Sequence, residues 1–236
     1  MPIGGLTIVA GATMAARKSA ATAAPAQAPR LYRGLSASDR RAQRRKIFLE
    51  AGLELFGTVG YAGTSIRAIS AEASLNPRYF YESFSSREDL LYEVYKDVVA
   101  RLAAEVVAVT AAASSTEAQA REGLRVAWTA LTDDPRKARV IALEVVGVSE
   151  RLERLRRDNR HAFADLLVHN TRLIHGERAR GRLDAVLTAR SLMGAVVEVI
   201  IDWINGDVDA SVDELVDHFT QLFTIVAQAA IEPRER

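Results

Sequence analysis

Two helix starts that follow each other within about a dozen residues constrain this chain more than any other feature. Thr64 can cap a short helix in which Ile66 and Ile69 turn inward. A break near Ser74 leads to the second start, where Asn76 is the cap and Pro77 fills the first helical position, at which a missing N–H costs nothing. Two short helices separated by three or four residues have the spacing of a helix-turn-helix, whose second helix enters the major groove of DNA. That helix, Pro77-Arg78-Tyr79-Phe80-Tyr81, carries groups suited to the task. Arg78 can bond a guanine edge in a bidentate manner, Tyr79 can reach a base or a thymine methyl, and Tyr81 can donate to a phosphate. Free N–H groups and the positive dipole ends at both starts also favour phosphate. A plain helical hairpin with a solvated Arg and half-buried tyrosines has the same spacing, so spacing alone leaves both readings open.

The flanking sequence is helical too. Ser38 can cap a helix whose Ile47, Phe48, Ala51, Gly52, Leu55 and Phe56 form one face, with Gly57 and Gly60 able to end it. A further start lies at Ser85/Ser86, with Glu88 and Asp89 in the first turn to suit the dipole. Leu90, Leu91, Val94, Val98, Leu102 and Val106 then make one stripe, and Leu124, Ala127, Trp128 and Leu131 make another before the break at Asp133-Asp134-Pro135. Ala138 to Val148, Glu150 to Ile174, Ala185 to Ile204 and Val212 to Ile231 read as four more helices. There is no hairpin signal and no repeat, which makes the chain all-α. No stretch of 18 residues is free of charge, which argues against a membrane span.

Charge divides the chain. The 236 residues sum to +1, but residues 1–84 carry 11 Lys and Arg against 5 Asp and Glu, while the remainder carries 20 against 25. A basic front joined to a mildly acidic remainder suits an anion-seeking module attached to something else. Residues 1–35, rich in Ala, Gly, Thr and Pro, read as a disordered arm in which Arg17, Lys18, Arg30 and Arg33 are solvated tail charges. Leu6 to Ala12 is mildly apolar but lacks a basic lead and is interrupted by glycines, so a signal peptide is not expected. The absence of Cys removes disulfides, thiol catalysis and thiolate metal sites, and a cytoplasmic location is expected.

The order of residues is more specific than their spacing. The run Ile47 to Phe56, then Gly60-Tyr61, Thr64 to Ile69, Ala73 to Asn76, Tyr81 to Phe84 and Ser86 to Leu91 resembles the TetR family of bacterial one-component regulators. The resemblance implies a three-helix helix-turn-helix domain over residues 36–96, with the motif at about 64–83, and a helical effector-binding and dimerisation bundle over 97–236. It implies a transcriptional regulator, in the repressor role, that leaves a palindromic double-stranded DNA operator when a small molecule binds. Carried over by residue, Thr64 and Ser65 resemble phosphate contacts, Asn76, Pro77, Arg78 and Tyr79 the base-reading and capping stretch, and Tyr81 and Arg87 further backbone contacts. Three positions depart from the family pattern. Ser74 stands at the usual turn Gly, where a left-handed backbone would cost roughly 1 kcal/mol. Ser83 replaces a frequent His, and Arg67 replaces a common acidic residue, which makes Arg67 a further backbone contact.

Polar residues on apolar faces of the bundle are the effector candidates. Asn159 and Asn170 fall on the stripe of Leu152, Leu155, Phe163, Leu166, Leu173 and Ile174, where neighbours or a ligand must satisfy their amides. Glu144, alone in the apolar run Val140 to Val148, could bind a cationic effector or pair with Arg139. Trp128 reads as core before pocket wall. The effector set is therefore Trp128, Glu144, Asn159, Phe163 and Asn170. His161, Asp165 and His169 align at four-residue spacing, but on a face opposite the apolar stripe, so no metal is expected. No catalytic motif and no cofactor signature is present, so an enzyme is not expected. The last two helices carry more apolar surface than one face needs, which with the resemblance implies a homodimer through Val197, Ile201, Leu215, Phe219, Leu222, Phe223 and Val226. The competing reading is a helical dimer that binds a ligand or a protein and has lost DNA binding.

Overall fold

The computed structural model describes residues 36–176 and 183–231, so the arm over 1–35 and its basic residues lie outside the described part. Nine α-helices and one π-turn make up the described chain, without a strand. Four N-terminal helices, α1 (Ala37–Thr58), α2 (Ile66–Glu72), α3 (Pro77–Tyr81) and α4 (Arg87–Thr110), precede α5 (Thr116–Thr132), α6 (Pro135–Arg139), a π-helix (Val140–Glu144), α7 (Glu150–His175), α8 (Ala185–Asn205) and α9 (Val212–Ile231). No described helix is long and apolar enough to cross a membrane.

Caps explain where the helices begin, and two of them correct the sequence reading. Ser36, not Ser38, caps α1, because Asp39 at the third helical position returns a hydrogen bond to the Ser36 backbone and closes a capping box. Ser65, not Thr64, caps α2 by accepting from the Ala68 N–H. Thr64 is buried, and its hydroxyl donates to the Gly60 carbonyl at 2.7 Å. Asn76 caps α3 as expected, and Ser86, Ser115 and Ser149 cap α4, α5 and α7. The α2–α3 turn passes through Ser74 at φ 51°, the left-handed backbone that the family pattern implied.

Gly57 does not end α1; it lies inside the helix, against Arg136 of α6. The helix from Ala138 is shorter than read, because α6 gives way to the π-helix at Val140 and a turn follows Glu144.

Two cores result. One gathers Phe48, Phe56, Ile69, Phe80, Phe84, Leu90 and Leu91 with Val140, Val145, Leu152 and Leu155 from the C-terminal half. The rings of Phe48, Phe80 and Phe84 meet edge-on or tilted at centroid distances of 5.5–6.4 Å, favourable aromatic geometry. The second core gathers Trp128, Leu131, Val196, Ile200, Leu215, Val216, Phe219 and Phe223. Ile141 of the π-helix packs against both. The boundary read at residue 96 falls inside the unbroken helix α4.

Candidate nucleic-acid interface and effector cavity

Helix α3 is only five residues long, and it divides its side chains cleanly. Phe80 is fully buried between Phe48 and Phe84, which anchors the helix. Its exposed groups include Arg78, whose side chain is 85% exposed, and Tyr81, which is 63% exposed. Tyr81 thus stands in water near Arg78, whose guanidinium makes a long ion pair with Glu82 at 3.8 Å. Asn76 and Pro77 are exposed, but the Asn76 side-chain Oδ1 already accepts from the Arg78 N–H, so this side chain serves the cap first. Ser65 and Arg67 are exposed at the start of α2. Tyr79 is half-buried beneath the Arg44 guanidinium, 4.4 Å from the ring centre.

Two expected DNA contacts serve the fold instead. Thr64 is buried and committed to Gly60, as described. Arg87 is half-buried; it donates to the Thr64 carbonyl and stacks on Tyr61 at 4.1 Å, which ties α4 to the loop before α2.

The sequence reading overlooked the arginines of α1. Arg41 donates to the Glu82 carbonyl, Arg44 pairs with the Glu82 carboxylate at 3.1 Å, and Arg45 donates to the Ser83 carbonyl at 3.0 Å while pairing with Glu93 at 2.7 Å. These cations sit at the C-terminal end of α3, where unsatisfied carbonyls and the negative dipole end attract them. They hold α3 in place and add positive potential beside Arg78. A run of five basic residues within seven positions, Arg40 to Lys46, was the available signal.

Deep in the C-terminal half lies a cavity of about 220 Å³ with an overwhelmingly apolar wall. Phe163, Asn159 and Asn170, three of the residues expected to meet an effector, line it. Trp128 and Glu144 do not. Trp128 is buried in the second core, stacked on Phe219 with ring centres 6.2 Å apart. Glu144 faces the N-terminal helices: Arg139 donates to it at 2.8 Å, and the Tyr61 backbone N–H donates at 2.6 Å. It joins the two halves of the chain, and no cation is needed to satisfy it. Asn159, buried, hydrogen-bonds the Tyr95 hydroxyl, and burial pushes the Tyr95 phenol up to about 12, so that group is neutral near pH 7.

The expected interface residues also separate. Leu215, Phe219 and Phe223 are buried in the chain's own second core, because that side of α9 packs on α5. Val197 and Val226 line the cavity. Ile201 and Leu222 are half-buried. The most outward apolar groups on the last two helices are Leu187 of α8 and Ile225 of α9, at 67% and 63% exposure. Among the described residues no cluster of His, Asp or Glu is placed to hold a metal ion, and Asp165 and His169 are exposed.

Residues 48–94 match the family model of bacterial regulatory proteins, tetR family. No curated protein matches the chain. The chain is similar to the fatty acid degradation regulator FadR from Bacillus halodurans, at 20% identity and a TM-score of 0.68, over 76% of this chain and 94% of that one. It is also similar to the transcriptional regulator FadR from Bacillus subtilis in complex with stearoyl-CoA, at 17% identity and a TM-score of 0.69, over 75% and 96%. A TetR-family transcriptional regulator from Bordetella parapertussis 12822 matches at 17% identity and a TM-score of 0.60, over 76% and 93%. At these identities the shared property is the fold, an N-terminal helix-turn-helix domain followed by a helical C-terminal part.

Proposed function

We propose that this chain, whose residues 48–94 match the family model of bacterial regulatory proteins, tetR family, is a dimeric transcriptional repressor that leaves its operator when a small molecule enters the cavity. The observation that carries the DNA reading is α3: a five-residue helix pinned by buried Phe80 that presents Arg78 and Tyr81 to solvent. Ser65, Arg67, Asn76, Pro77 and Tyr79 complete the contact surface, with Arg78 reading a base edge and Tyr81 and Arg67 holding phosphates. A two-fold dimer would present two copies of α3 to successive turns of a palindromic site. Its interface uses the outward faces of α8 and α9, including Ile201, Leu222 and Ile225, in place of the three residues buried in the chain's own core. The stearoyl-CoA held by the Bacillus subtilis neighbour supports a small-molecule effector of apolar character here, in keeping with the wall of the cavity.

The test is duplex affinity against salt for the parent and for Arg78→Ala and Tyr81→Phe. Losing a base contact is worth about 1–3 kcal/mol in Arg78→Ala, and Tyr81→Phe weakens binding on all sequences alike. A parent with no salt-dependent duplex binding, or variants that bind as well as the parent, would leave the ligand-binding dimer as the reading.

A further inference from the structure

The cavity has a shape as well as a chemistry. Its lining runs along α4 from Tyr95 to Thr110, along α5 from Thr116 to Leu131 and along α7 from Asn159 to Arg172. At 1.5 Å per residue each of these spans is about 20 Å. The ends correspond: Asn159 bonds Tyr95 at one end, and at the other the Gln119 amide donates to the Thr110 carbonyl while Thr116 meets the His175 ring at 2.7 Å. The lining therefore forms an elongated tube, about 20 Å along three helices, which suits a long apolar body. Between the ends its wall is made of Val99, Leu102, Val106, Leu124, Phe163 and Val196 among others, with no charged group.

Each end carries an arginine: Arg172 is exposed at the far end, and the one nearer the helix-turn-helix is buried at its Nε. Arg160 lines the tube there, one residue beyond Asn159, and its Nε is fully buried with no hydrogen-bond partner among the described residues. Its neighbours on the same face of α7 are already committed: Arg156 pairs with Glu153 at 2.9 Å, and Glu153 also accepts from the Gly147 N–H. A buried guanidinium donor without an acceptor is costly, and native proteins keep such a group where a partner arrives from elsewhere. The partner that completes this site is an anion, since Arg offers donors and a permanent charge.

We infer that the effector is an elongated apolar molecule with an anionic head, its body lying along the tube and its head held by Arg160 beside Tyr95 and Asn159. This rests on the reading of the cavity as the effector site. A free carboxylate supplies the charge at the chain end and a coenzyme A thioester supplies it on phosphates beyond a neutral linker, and the experiment separates them.

Calorimetric titration of the full chain, without DNA, uses dodecanoate, dodecanoyl-CoA and dodecan-1-ol as probes. The parent should bind dodecanoate or its CoA thioester at one per subunit, and whichever binds more tightly identifies the source. The alcohol should bind at least tenfold more weakly. Arg160→Gln should weaken the preferred anion at least tenfold while leaving the alcohol unchanged, Arg160→Lys should restore most of the loss, and Ala120→Phe should block the tube to every probe. A parent that binds no probe overturns the inference, as does an alcohol that binds as tightly as the anions, or an Arg160→Gln variant that melts like the parent and binds as well. Duplex binding measured separately keeps the outcomes apart. A protein that binds DNA but no probe refutes this assignment alone, and one that binds a probe but no DNA refutes only the repressor reading.

Discussion

Gly57 offers a test in which two physical effects have opposite signs. It lies in the last turns of α1, where replacing glycine by alanine ordinarily gains up to about 1 kcal/mol through helix propensity. A Cβ built there, however, would stand 2.3 Å from Arg136 Cβ and 2.7 Å from Arg136 Cα. Carbon atoms in ordinary contact are about 3.5–4.0 Å apart, so α1 and α6 would have to separate by more than about 1 Å. The clash is with backbone and the stem of a side chain that cannot turn away. Arg136 is fixed on both sides, by the Asp134 carboxylate at 2.7 and 2.8 Å and by Glu54 at 2.6 Å. Overpacking of this kind costs about 1–3 kcal/mol, and a forced separation also stretches the Arg136–Glu54 pair. The net expectation for Gly57→Ala is a loss of about 1–2 kcal/mol, or a fall in Tm of about 2–8 °C for a chain of this size. Urea and thermal unfolding followed by far-ultraviolet circular dichroism measure it. A variant as stable as the parent, or more stable, would show that propensity wins and that α1 and α6 are not in tight contact.

Other outcomes follow from the same geometry. Ser74→Gly should raise stability by about 0.5 kcal/mol, because it relieves a left-handed serine costing about 1 kcal/mol while giving back part of that as unfolded-state entropy; a lower urea midpoint would refute the strain. The Arg136 guanidinium holds the Asp134 carboxyl below the ordinary carboxylate range. A depressed folded-state pKa contributes stability above the unfolded value of about 3.9 and loses it as pH falls, so the difference in urea midpoint between parent and Asp134→Asn should be full at pH 7 and shrink below about pH 4. A difference of the same size at pH 3 would refute that account. Ile225→Asp should shift the light-scattering mass from dimer to monomer with little change in Tm, whereas Phe219→Asp should abolish folding by placing a charge in the second core. An Ile225→Asp protein that remains dimeric removes that face of α9 from the interface.

Local signals were legible where the competing choice was also local. Asn76-Pro77 and Ser86 with its acidic first turn mark α3 and α4 in the sequence as they stand in the structure. Where two hydroxyl residues are near each other, sequence could not choose between them. Ser36 prevails over Ser38 through Asp39, and Ser65 over Thr64 because the Thr64 hydroxyl is taken by Gly60. The roles of Arg41, Arg44 and Arg45 were hidden because their partners are about 40 residues away. The tube was hidden for a different reason. Val99, Leu102 and Val196 are the same residue types that fill a core, and only packing decides whether the space between them is occupied. Leu215, Phe219 and Phe223 make the same point for the interface, since an apolar stripe has the same period whether it meets another subunit or its own helix α5.

Because Val140, Val145, Leu152 and Leu155 complete the packing around Phe48, Phe56 and Leu90, the N-terminal head is not a detachable part. A fragment cut at residue 96 would lose Val98 and Val99 as well, and would expose the underside of α1 and α4 to water. Grafting this head onto a foreign sensor, or a foreign head onto this bundle, must therefore carry the segment from Val140 to Leu155 along with it. Chimeras joined in the middle of α4 should aggregate, and melting should proceed as one transition that both halves report together.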